Sequence, residues 1–69
     1  MSKQQLADQT AQKNGFDYAV YLGERDGASV FIAGSNVPAD TGLPLFILID
    51  DQNNVMSDFT LDYMDMVKE

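Results

Sequence analysis

Leu43-Pro44-Leu45-Phe46-Ile47-Leu48-Ile49 is the longest apolar run in the chain. Its length suits a strand better than a helix, and its lack of alternation predicts burial on both faces, so it is expected to be the central strand of a sheet. Pro44 sits near its start, where a missing ladder donor is tolerated. On the C-terminal side, Asp50-Asp51-Gln52-Asn53-Asn54 is a cluster of turn formers. Asn53 is placed to adopt a positive φ, which Asn tolerates better than most residues. Val55-Met56 then resumes a short strand, which closes a hairpin.

Beyond Met56 two periods compete. Phe59, Leu61 and Tyr63 alternate as in a strand, whereas Phe59, Tyr63, Met66 and Val67 follow helical spacing. Asp58, Asp62, Asp65 and Glu69 fall at i, i+4, i+7 and i+11, which would form one solvent face of a helix. That pattern predicts a C-terminal helix, with Ser57 or Asp58 as its N-cap.

Upstream of the central run, Phe16, Tyr18, Val20 and Leu22 alternate with Asp17, Ala19, Tyr21 and Gly23, as in a half-buried strand. After a turn at Glu24-Arg25-Asp26-Gly27, Ala28 to Gly34 forms the second strand. If Gly27 takes the left-handed conformation as a bulge, Glu24 pairs with Ala28. Counting back places Leu22 opposite Val30 and Val20 opposite Ile32 on one face, with Tyr21 opposite Phe31 and Ala19 opposite Ala33 on the other.

At the N-terminal end Ser2-Lys3-Gln4-Gln5 reads as a capping box. Asn14-Gly15 supplies the helix stop, after which Phe16 can fold back on the last turn. Only Leu6, Ala7 and Ala11 are apolar at helical spacing between these signals, which is a marginal anchor. The whole chain therefore reads as an α+β fold: a small antiparallel sheet of about four strands in two hairpins, flanked by an N-terminal and a C-terminal helix. Ser35 to Gly42 is its longest loop and the natural place for a functional group.

With 69 residues there is room for a single domain over residues 1–69. Apolar residues make up 45% and charged residues 22%, a globular balance. The chain has no Cys and no His, which removes disulfides, thiolate chemistry and most zinc, copper and haem ligation, so no cofactor is expected. Eleven acids against four bases give a net charge of −7. Phosphate backbones and anionic membranes would be repelled, so neither direct nucleic-acid binding nor membrane binding is expected. Met1 to Asp8 carries no apolar leader segment, in keeping with a cytoplasmic protein.

Three sets of residues invite a chemical reading. Asp40-Thr41-Gly42 matches the catalytic tripeptide of retroviral-type aspartic proteases, in which two chains each offer one Asp, but it does not follow a hydrophobic strand as that family requires. Asp50 and Asp51 close the central strand, where carboxylates can hold Mg²⁺ or Ca²⁺, although an EF-hand loop would need Gly where Val55 stands and a Glu that is missing. Met56, Met64 and Met66 lie near Phe59 and Tyr63 and suit either a core or an adaptable groove. Gly42 to Met56 resembles the last hairpin of thioredoxin-like proteins over about a fifth of the chain; that family's Cys-x-x-Cys pair is absent, and no redox role is implied.

By elimination, the sequence points to a small acidic, non-catalytic interaction or accessory domain that binds a protein partner through a sheet face or edge. Tyr21, Phe31 and Ile32 are the expected contact residues. A homodimer is expected if the uncharged strand Ala28 to Gly34 lies at an edge. The alternative is a carboxylate-based enzyme or enzyme subunit, with or without a divalent metal, built on Asp40, Asp50 and Asp51.

Overall fold

A computed structural model describes residues 2–35 and 43–67. Helix α1 (Lys3–Lys13) leads into strands β1 (Tyr18–Arg25), β2 (Ala28–Gly34), β3 (Leu45–Asp50) and β4 (Val55–Phe59), followed by a single 3₁₀ turn at Met64–Met66. The strands form one antiparallel sheet in the order β1-β2-β3-β4.

The helix ends follow the sequence signals. Ser2 Oγ accepts from the Gln5 backbone N–H at 3.1 Å, and the Ser2 N–H donates to Gln5 Oε1 at 3.0 Å, which completes the capping box. At the other end Gly15 adopts φ +87°. The Phe16 N–H reaches Ala11 O at 2.9 Å and the Gly15 N–H reaches Gln12 O at 3.2 Å, the paired bonds of a Schellman motif. The thin apolar stripe works because it is thin: Ala7 and Ala11 are fully buried and let the helix lie close to the sheet. Phe31, Leu45, Ile47 and Ile49 complete the core beneath it. Polar contacts add to this anchor, since Gln4 Nε2 donates to Ala19 O at 2.8 Å and Asp8 Oδ1 accepts from the Ala19 N–H at 2.8 Å.

The first hairpin turns differently from the expectation. Arg25 pairs with Ala28 across a two-residue loop in which Asp26 and Gly27 have φ of 54° and 80°, a type I′ turn whose twist suits the flanking strands better than a three-residue loop. The expected bulge moves to Leu22–Gly23, where the register shifts and Gly23 pairs with Val30. Gly23 has φ +146°, which a side chain rarely adopts, so the bulge falls where glycine allows it. Beyond the bulge the expected register holds: Tyr21 faces Phe31, Val20 faces Ile32 and Ala19 faces Ala33. Tyr18 lies across Gly34 and fills the space a side chain there would need.

The C-terminal helix is absent from the described residues. Strand β4 runs on to Phe59 and makes five residue pairs with β3, and the Thr60 N–H then donates to Pro44 O at 3.2 Å. Pairing satisfies the backbone of β3 on its open side, and that outweighs a helix held only by its own periodicity. Asp58 therefore lies in a strand, Asp62 in a turn and Asp65 in the 3₁₀ turn, and they do not share a helix face.

Residues 61–67 instead lie over the sheet face opposite α1. The Tyr63 ring packs on Phe46 with centroids 5.5 Å apart, and the Arg25 guanidinium sits over the Tyr63 ring, 5.6 Å from its centroid. Phe46 and Val30 are fully buried on this side while Ile47 and Phe31 are buried on the other, so the central run is covered on both faces as its composition requires.

Asn53 has φ +63°, as the turn cluster predicts. Asn53→Gly is therefore expected to leave the melting temperature unchanged or slightly raised, because glycine enters this conformation freely. A clear fall in thermal denaturation would show that the Asn53 side chain contributes more than its backbone tolerance.

Candidate functional site

Of the acids singled out in the sequence, Asp50 and Asp51 make turn and ion-pair contacts. Asp50 Oδ1 accepts from the backbone N–H groups of Gln52 and Asn54, both at 2.9 Å, and Asp50 Oδ2 accepts from Asn54 Nδ2 at 3.0 Å. These bonds, that from the Asn54 backbone first and its side chain next, hold the Asp50 carboxyl below the usual carboxylate range. Asp51 is exposed and pairs with Lys3 at 3.3 Å, and the same Lys3 ammonium lies 3.5 Å from the buried Ser29 hydroxyl. Asp40 lies outside the described residues. Among the described residues no group of three or more carboxylates could hold a metal ion.

Arg25 ties the C-terminal segment down. Its Nη2 donates to Asp65 Oδ2 at 2.7 Å, its Nη1 to Asp65 Oδ1 at 3.4 Å and also to the Asp62 carbonyl at 3.5 Å. The hydrogen bond from Arg25 holds the Asp65 carboxyl low, and the reciprocal bond raises Arg25. Beside this fork lies a groove of about 280 Å³ floored by Ala28, Leu48 and Met56 and walled by Arg25, Asp50 and Tyr63. Of its three charged lining groups, Arg25 is engaged with Asp65 and Asp50 with its own turn, and Asp26 belongs to the turn between β1 and β2.

The fork makes a prediction about pH. A carboxyl depressed in the folded state contributes stability that is present above its unfolded pKa of about 3.9 and is lost as pH falls through its lower folded value. Acidification below about pH 4 is thus expected to loosen residues 61–67, read as a change in the Tyr63 ring resonances. Asp65→Asn should abolish that step, and a Tyr63 response unaltered in this variant would remove the fork as its cause.

The fold keeps two of the expected contact residues, Tyr21 and Phe31, together on one face and sets Ile32 on the other. Strand β2 lies between β1 and β3 and offers no free edge, so the strand pairing expected across a two-fold axis at Ala28 to Gly34 is not open to it. Phe31 is 2% exposed and belongs to the core; Tyr21 is 51% exposed with its ring 5.4 Å from Phe31; Ile32 is half-buried on the opposite face.

The two real edges are β1 and β4, and they are unlike. Along β1, Gln4 and Asp8 occupy the outward carbonyl and N–H of Ala19, and the Gly23 bulge breaks the line. Both are known means of blunting an edge. Strand β4 has neither. Thr60 bonding to Pro44 and Asp50 bonding to Asn54 fix the alternation of the β3–β4 ladder, which points the N–H and C=O groups of Val55, Ser57 and Phe59 away from β3. These groups have no partner among the described residues. By register the side chains of the same three residues lie on the core face, opposite Ile49, Ile47 and Leu45. They are nevertheless exposed, Val55 at 38% and Phe59 at 50%, because the apolar core stops at β3.

Only Val55-Met56 was legible in the sequence as this strand. Val55 and Phe59, four residues apart and so on one strand face, are the apolar positions that bound it. No helix among the described residues is long and apolar enough to cross a membrane. Comparison with protein-family models, with curated proteins and with solved structures gives no match.

Proposed function

We propose that this chain is a non-catalytic interaction domain that binds a protein partner by adding one of the partner's strands to the β4 edge. The observation that carries this reading is the asymmetry of the edges: β1 is blocked at Ala19 and bulged at Gly23, while β4 presents three outward backbone positions beside the exposed Val55 and Phe59 side chains. Strand addition draws affinity from main-chain hydrogen bonds and specificity from alternate side chains, and β4 offers both. The acids support the same reading, since Asp50, Asp51 and Asp65 serve turn and ion-pair geometry rather than a reaction centre.

Selection of binders from a random displayed-peptide library tests the proposal. Enriched peptides should lose binding to Ser57→Pro, which deletes one outward N–H and leaves the β3 ladder intact. Peptides that bind the variant as well as the parent would place the contact elsewhere.

A further inference from the structure

Building on the β4 reading, we infer that the incoming strand is a basic one, with apolar residues alternating with Lys or Arg. A strand paired on β4 points its side chains alternately to the two sheet faces. On the α1 side they would meet Val55, Ser57 and Phe59, of which the exposed Val55 and Phe59 extend the core row of Leu45, Ile47 and Ile49. Apolar side chains fit there. On the opposite side they would meet Met56 and Asp58.

That second side carries a surplus of acids, Asp58, Asp62 and Asp65 against Arg25. Residues 55–67 carry Asp58, Asp62 and Asp65 and no basic residue. Two described basic side chains near this region are already committed, Arg25 to Asp65 and Lys3 to Asp51. The 68%-exposed Met56 beside Asp58 can cover the aliphatic stem of a long cation while its charged end meets the carboxylate.

Charge also decides between a second copy of this chain and a different partner. Two copies would each bring a net charge of −7, and antiparallel pairing of β4 with itself about Ser57 would set the two Asp58 side chains on one face of neighbouring strands, two residues out of register. Like charges so placed oppose pairing, whereas a basic strand meets complementary charge at Asp58.

Calorimetric titration with three capped seven-residue peptides, in which valine alternates with lysine, threonine or glutamate, tests the inference. The lysine peptide should bind about fivefold or more tighter than the threonine peptide at low salt, an advantage that narrows at physiological salt. Asp58→Asn should reduce that advantage, and Ser57→Pro should remove binding of both peptides. Threonine and lysine peptides binding equally would overturn the basic chemistry and leave strand addition standing. Binding unaffected by Ser57→Pro would overturn both. Sedimentation of the protein alone completes the test: a dimer that Ser57→Pro dissociates would assign the edge to a second copy and overturn the inference.

Discussion

Replacing Ile47 by Asp is expected to unfold the protein. Ile47 is fully buried on the α1 side of β3, in the middle of the row that Phe31 and Ser57 flank by register. A carboxylate there could neither be solvated nor find a cation, since Lys3 lies at the edge beside Asp51 and Arg25 lies on the other face. Burying an unpaired charge costs several kcal/mol, while a chain of this size retains only about 3 to 5 kcal/mol in total. Circular dichroism and amide NMR dispersion should both report an unfolded chain. A folded, dispersed spectrum would show that helix α1 does not cover this position.

Phe46→Ala is the second large effect, and it acts on the opposite face. The side chain is fully buried and is held down by Tyr63, so truncation removes its own packing and also the platform on which residues 61–67 rest. A buried Phe→Ala change typically costs about 3 to 5 kcal/mol, comparable with the whole stability expected here. The melting temperature should fall steeply. Tyr63→Ala should be milder and should cost less in the Phe46→Ala background, because the aromatic pair is then already broken. Fully additive effects of the two changes would mean that the rings do not support one another.

Much of this fold could be read from local signals that tertiary contacts do not override. The capping box at Ser2, the Gly15 stop, the bounds of β2 and the apolar run of β3 each depend on a few adjacent residues, and each is found where its chemistry demands. What was not legible depends on distant partners. The turn at Asp26-Gly27 and the bulge at Leu22–Gly23 are two one-residue offsets that cancel, so the register of Tyr21 on Phe31 could be counted correctly through a different turn. The C-terminal segment carried both periods, and the choice lay with β3, whose second edge needed a strand. The open edge was least legible of all. Asp50 and Asp51 could be read as turn formers or as ligands because the two roles use the same residues, and the open edge at β4 is a property of strand order that no single segment encodes.

Strand order also bears on how the chain finds its structure. Every strand pairs with the next one along the chain, so two hairpins can each close over a short turn at little loop entropy. The remaining junction, β2 against β3, is the one ladder whose partners are joined by a long connection. Helix α1 packs on residues from both sides of that junction, Ala19 and Phe31 before it and Leu45, Ile47 and Ile49 after it. The helix can therefore dock fully only once the two hairpins have met, which makes their meeting the entropic bottleneck of assembly and the docking of α1 the event that seals it.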